Sequence, residues 1–397
     1  MAITLEQAIE TAVAKHPDLA AYPFDLQANE ARTVQAALPP NPELEVEVVN
    51  IGALALGTAP AESSAGVSQA LELGGKRSAR VERVRTERRV LEADFQRLRL
   101  DLIAAVRRGF AELQAAQERL ALAREAHDLA SRLSVVVSEK VKAGATSPIE
   151  ETRARVALST AEADEAEAAR ALEVARLALG AAIGDPAPDF AGAAGTLSDD
   201  LSLPDWPGVA EALATTPDLT RWDGERRQRE ASLALEEASA VPDVTLRAAY
   251  AYDREGPPYN LFTLGVSVPL PLRNRNQGSI AEARANLAKV AAERRAAEVR
   301  LRNELAQRYA TLEASARQVR LLQEGALAGA REAYQTVDEG YRFGKFGYLD
   351  VLDANSAFVQ AKLKYLEALA SLNLARIDVD RLLGLPELPA GASRKPE

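Results

Sequence analysis

Two carboxylates three residues apart, Asp350 and Asp353, occupy the one stretch of this sequence whose residue types and spacing define a chemical setting. They lie in EGYRFGKFGYLDVLDANSAF, residues 339 to 358, which reads as a helix running to Phe343, a break at Gly344-Lys345-Phe346-Gly347, and a second helix. Glycines supply the left-handed backbone that such a reversal needs, and acids in the first turn complement the dipole of the departing helix. The bare chemistry here is electrostatic: a place that favours cations and stabilises a helix start. Nothing else assembles into a reactive set. His16 and His127 stand alone, Met1 is the only methionine and there is no cysteine. No spacing suits a metal site, a phosphate loop or a nucleophile with its base. The two histidines read as solvated or capping residues, and the chain reads as no enzyme, with no cofactor and no metal centre of its own.

The elements that hold this turn come in duplicate. EKVKAGATSPIEETRARVAL begins at Glu139 and places Gly144 under Gly344 and Glu150 under Asp350, 200 residues apart. His16-Pro17-Asp18-Leu19 returns as Thr216-Pro217-Asp218-Leu219, Pro42-Glu43-Leu44 as Pro242-Asp243-Val244, Gly66-Val67-Ser68 as Gly265-Val266-Ser267, and Gly184 as Gly384. One offset, constant within a residue, implies two copies of one unit. The expected organisation is a first repeat over 1–184, a linker over 185–208, a second repeat over 209–385 and a loose tail over 386–397.

Composition agrees with long helices: 397 residues, 27% charged, 5% aromatic. A formal charge of −10 with no basic face excludes a nucleic-acid surface. The absence of cysteine excludes disulfides, thiolate chemistry and a lipidated N-terminal cysteine in this sequence. No apolar run reaches the roughly 18 residues of a membrane-spanning helix. MAITLEQ lacks a signal pattern, so a secreted protein would be present in processed form.

Each copy has the same order. Leu5 to Leu38 is helical but bent by Pro17 and Pro23. Glu43 to Asn50 alternates Leu44, Val46 and Val48 with Glu43, Glu45 and Glu47, the period of a strand. Ala65 to Leu73 returns as a second strand. An unbroken helix then covers Lys76 to Lys142, roughly 100 Å at 1.5 Å per residue, with an apolar seam of Leu91, Phe95, Leu98, Leu102, Val106, Phe110 and Leu113. Pro148 opens a return helix to Ile183. The second copy predicts a helix over Val209–Ala240, strands over Asp243–Asp253 and Asn260–Val268, a long helix over Gln277–Phe343 and a return helix over Tyr348–Leu383.

Four strands cannot close a barrel, so their edges ask for partners from other chains. Their length and one-sided apolar pattern suit membrane-spanning β-strands. Two chains would give eight strands with a filled interior; three would give twelve and room for water. The same strands also suit hairpins capping a soluble helical bundle.

Tyr341-Arg342-Phe343-Gly344 followed by Leu349-Asp350-Val351-Leu352-Asp353-Ala354 resembles the tip of the TolC family of trimeric outer-membrane efflux channels, and the duplicated plan resembles that family from Leu5 to Pro386. Leu71 to Arg77, Ser147 to Val156, and Pro269-Leu270-Pro271-Leu272 with Arg275-Asn276-Gln277-Gly278 look like the branch that serves cobalt-zinc-cadmium and copper-silver pumps. The resemblance implies a mainly α fold with a small β part. Duplicated helical hairpins would form a periplasmic α-barrel, and four strands per chain would complete a twelve-stranded outer-membrane barrel in a homotrimer. It further implies a passive exit duct for heavy-metal cations, docked to a periplasmic adaptor and an inner-membrane resistance-nodulation-division transporter. Drugs or other small molecules are alternative cargo, and a periplasmic coiled-coil adaptor is an alternative class. By the same resemblance Asp350, Asp353 and Tyr341 match the periplasmic gate, where repeated acids around a pore would attract cations. Gly144, Ala145, Thr146, Gly344, Lys345 and Phe346 match the adaptor-contact tips. Where several family members place a basic latch residue after the turn, this chain has Phe346, with Lys345 and Arg342 nearby.

Overall fold

The structure, a computed structural model, describes residues 1–49, 62–253 and 259–385. The loop after Val49, the Gly256-Pro257-Pro258 loop and the tail from Pro386 lie outside the described residues. The chain order is β1 (Ala2–Ile3), α1 (Leu5–Lys15), α2 (Pro17–Ala37), β2 (Glu43–Val49), β3 (Glu62–Leu71), α3 (Lys76–Lys142), α4 (Pro148–Ile183), β4 (Gly192–Ala193), α5 (Trp206–Ala212), a 3-10 turn (Leu213–Thr215), α6 (Pro217–Ser239), β5 (Val244–Asp253), β6 (Tyr259–Ser267), α7 (Gln277–Leu321), a π-helical turn (Leu322–Leu327), α8 (Ala328–Arg342) and α9 (Tyr348–Leu382). Contacts group these into two compact units, each drawing on both halves of the sequence. One contains Met1–Ala21, Phe95–Pro217 and the chain from Glu298; the other contains Tyr22–Asp94 and Asp218–Ala297.

The bend predicted at Pro17 resolves into a break. His16 takes an extended conformation, φ −64° and ψ 128°, because the residue before a proline is pushed out of the helical region. Pro17 then starts α2 at a position where its missing donor does no harm, and His16 Nδ1 accepts a hydrogen bond from the Asp18 amide at 3.3 Å. Thr216 before Pro217 does the same, φ −71° and ψ 151°, so the single helix expected over Val209–Ala240 is two helices separated by a 3-10 turn. Pro23 sits inside α2 without ending it.

In the larger unit, Ala8, Ile9, Ala12 and Leu19 pack with Leu102, Val106, Phe110, Leu113, Leu179 and Ile183 as one buried core. The long-helix seam therefore holds from Leu102 to Leu113, with Phe95 packed against it; Leu98 departs from it and is 37% exposed. The sequence reading missed β1, and missed that the segment expected to be a linker contributes a strand: Ala2 and Ile3 pair in parallel with Gly192 and Ala193. Gln117 fixes that strand from α3, its amide donating to the Ala193 carbonyl at 3.1 Å and its oxygen accepting from the Ala193 amide at 2.6 Å. Arg107 and Asp380 form a buried ion pair at 2.6 Å. Burial pushes the Asp380 carboxyl above its ordinary range, against the opposing pull of Arg107.

The smaller unit carries a four-stranded antiparallel sheet ordered β2-β3-β5-β6, in which β3 and β5 join the two hairpins. Its register, Leu44 opposite Val67, Val67 opposite Ala248 and Ala248 opposite Leu264, stacks one residue per strand on a common face.

Candidate functional site

Both helix reversals are built alike. Gly144 and Gly344 have φ of +72° and +74°. In the first, the Gly144 amide donates to the Val141 carbonyl at 3.0 Å and the Ala145 amide to Lys140 at 2.8 Å; in the second, Gly344 donates to Tyr341 at 3.0 Å and Lys345 to Gly340 at 2.8 Å. This paired closure with a left-handed glycine satisfies the orphan carbonyls of a helix end. The departing helices then differ. Ser147 caps α4, its Oγ accepting from the Ile149 amide at 3.4 Å. Gly347 has no side chain, so Asp350 reaches back to accept from the Gly347 amide at 2.7 Å.

The structure brings the two tips together. Leu133, Val137 and Ala154 of the first hairpin share a buried cluster with Tyr348 and Val351 of the second, and Tyr341 packs against it. Lys140 Nζ donates to the Tyr341 hydroxyl at 3.2 Å and lies 4.7 Å from that ring's centre. Thr146 donates to Glu150 Oε2 at 2.5 Å and Ser138 to Glu151 Oε1 at 3.0 Å. Tyr348 is buried, and burial, with smaller contributions from Tyr341 and Glu150, raises its hydroxyl pKa. Asp350 and Asp353 are both exposed.

Phe346 is held by a neighbour that sequence reading overlooked. A Cβ on Gly340 would meet Cδ2 and Cε2 of the Phe346 ring at 2.3 and 2.6 Å, so one edge of the ring occupies the space that the missing side chain leaves open. Phe343, by contrast, is 80% exposed. Lys140 was also missed: it lies in the other half of the sequence, and no local pattern links it to Tyr341.

The sheet is the second surface of interest. Leu44, Val46, Val48, Val67, Leu246, Tyr250, Phe262, Leu264 and Val266 share one face and are all exposed, Leu264 at 87% and Leu44 at 75%. The opposite face is polar: Arg247 pairs with Glu45 at 3.1 Å, and Ser68 donates to Glu45 at 3.2 Å. An apolar face of this extent left uncovered marks a surface meant for a partner or a lipid. No helix among the described residues is long and apolar enough to cross a membrane, and none of their His, Asp and Glu side chains form a group of three able to hold a metal ion.

Comparison with known proteins fits this plan. A family model described as outer membrane efflux protein matches twice, over residues 8–185 and 208–385. The cobalt-zinc-cadmium resistance protein CzcC of Cupriavidus metallidurans is 34% identical over 382 residues, 96% of this chain and 90% of that protein. The nickel-cobalt-cadmium resistance protein NccC of Alcaligenes xylosoxydans xylosoxydans is 27% identical over 78% of this chain and 69% of its own length. The fold matches crystal structures of CusC with a TM-score of 0.76 at 18% identity, covering 96% of this chain and 91% of CusC. It also matches the open state of the MtrE outer membrane channel of Neisseria gonorrhoeae, with a TM-score of 0.74 at 20% identity, covering 96% and 88%. The chain belongs to the outer membrane efflux protein family.

Proposed function

We propose that this chain is one third of a homotrimeric outer-membrane channel, a passive exit duct for heavy-metal cations within a tripartite efflux assembly. The observation that carries the reading is the one-sided sheet. Its apolar face is uncovered, and its outer strands β2 and β6 each pair on one side only. Lipid requires every backbone polar group to be paired, so such a sheet must be closed by copies of itself, and twelve strands leave a water-filled lumen where eight would not. The two stretches matched by the family model are read as two copies of one unit, which would double the hairpins around the duct.

In this reading the helical part stands in the periplasm. Asp350, Asp353 and Tyr341 form the gate: threefold repetition of two exposed acids makes cation-attracting rings, and the Lys140–Tyr341 contact ties the two hairpins in the closed state. Gly144, Ala145, Thr146, Gly344, Lys345 and Phe346 form the tips that meet a periplasmic adaptor, beneath which stands the inner-membrane resistance-nodulation-division transporter. The likeness to CzcC supports metal cations as cargo, and diffusion through water demands no ligand set, cofactor or catalytic group from the duct.

Mass measurement of the detergent-solubilised protein should give three chains per particle, and any other number refutes the closure. Replacing both acids, Asp350→Asn with Asp353→Asn, should lower cation over anion selectivity in planar bilayers; unchanged selectivity removes the gate assignment.

A further inference from the structure

The strands β3 and β6 are both antiparallel to β5, so they leave the sheet at the same end, Leu71 opposite Val244 and Ser267 opposite Thr245. Just beyond that end the chain carries exposed Leu73, Leu270 and Leu272. They are followed at once by cations: Lys76 and Arg77 after β3, Arg273 and Arg275 after β6. The carboxylates of this junction are occupied. Asp243 takes Lys76 at 2.7 Å and the Leu73 amide at 3.0 Å; Glu72 is held by Arg80; Glu236 accepts from Asn276 at 2.8 Å, and Glu237 pairs with Arg284 at 2.9 Å. Arg77, Arg273 and Arg275 are exposed and form no ion pair with these acids. The Nε of Arg275 donates to its own chain at the Pro271 carbonyl, 3.1 Å.

We propose that these three arginines bind the phosphodiester of anionic phospholipids in the leaflet bordering the helical end of the barrel. The inference rests on the membrane reading above and adds to it a lipid site. The charge arrangement favours lipid over a second protein. Guanidinium forks without carboxylates, placed just past the last exposed leucines, sit where acyl chains give way to headgroups. The two copies of the motif, separated by β5, would line both sides of each protomer's share of the rim.

The test uses the purified full-length trimer reconstituted into nanodiscs of phosphatidylethanolamine with one quarter phosphatidylglycerol, followed by native mass spectrometry of the lipids retained. In the lipid retained by the wild type, the ratio of phosphatidylglycerol to phosphatidylethanolamine should exceed the bulk ratio of one to three by about fivefold or more, the order expected for a cation near a lipid surface. Arg77→Gln with Arg273→Gln and Arg275→Gln should reduce retention to the bulk ratio, while Arg284→Gln, which removes a paired arginine, should leave it unchanged. A set of lysines at the three positions should restore part of the enrichment, separating charge from folding. Retention at the bulk ratio by the wild type, or undiminished enrichment in the triple glutamine variant, overturns the proposal. Those outcomes require an inserted trimer, so failure of the membrane reading would appear separately, as a chain that enters no nanodisc.

Discussion

Disconnecting Lys140 from Tyr341 tests how the two hairpins are tied at the tip. The contact combines a hydrogen bond of 3.2 Å with an ammonium 4.7 Å from the ring centre. An exposed cation over a partly buried ring contributes about 0.5–1 kcal/mol. A hydrogen bond to an exposed ammonium adds about 0.5–1 kcal/mol after solvent competition. In the proposed trimer the contact would favour the closed state by about 1–2 kcal/mol per protomer and about 3–6 kcal/mol for three, multiplying the closed-to-open ratio by on the order of a hundred to ten thousand. Lys140→Met removes both components; Tyr341→Phe removes the hydrogen bond and keeps the ring under the ammonium. In single-channel recordings from planar bilayers, both variants should raise open probability, Lys140→Met more strongly. The double variant should match Lys140→Met alone, because the phenol has nothing left to lose once the lysine is gone. If the double variant instead shows the sum of the two single effects, the residues act independently and the tie does not exist.

Three further outcomes follow from the geometry. Gly344→Ala should destabilise the second hairpin by about 1–2 kcal/mol, because φ is +74° while the space around a new Cβ is empty; Gly347→Ala, at φ −83°, should cost far less in the same denaturant titration. Arg107→Met should cost about 3–5 kcal/mol at neutral pH by stranding buried Asp380. The loss should shrink in unfolding measured at acidic pH, since burial already raises this carboxyl's pKa and protonation removes the stranded charge. Glu72 is held below the ordinary glutamate range, first by its hydrogen bond from Arg80. Its depressed value means a stabilising contribution that is complete above the unfolded pKa and lost as pH falls through the folded one, so the stability curves of wild type and Arg80→Gln should converge on acidification.

Long-period patterns were the legible part of this chain. The α3 and α4 boundaries fell where proline, glycine and seam residues put them, because those signals act within a turn or two of the backbone. The four strands were readable within a few residues at each end, since a period of two sorts Leu44, Val46 and Val48 from their glutamate neighbours directly. What escaped depends on contacts far apart in sequence. A two-residue strand such as β1 has no pattern of its own; it exists because Gln117 and the strand at Gly192 give its backbone a partner. Within the candidate site, both turn glycines and the capping acid Asp350 could be read locally. Lys140 and Gly340 could not, because a surface lysine and a helical glycine acquire meaning only when a tyrosine or a phenyl ring arrives from elsewhere in the fold.

The six-residue π turn at Leu322–Leu327 adds a residue to the helical ladder without a matching gain in turns. Such an insertion advances the phase of everything after it by about 100°, the angle of one residue. Tyr334, Val337 and Tyr341, spaced three and four apart, all pack at the tip cluster beyond that shift. Excising one residue there, for instance Gly325, would wind the segment back to regular pitch and turn those three side chains away from α9, so a lesion four turns distant would dismantle the tip while leaving each of its residues in place.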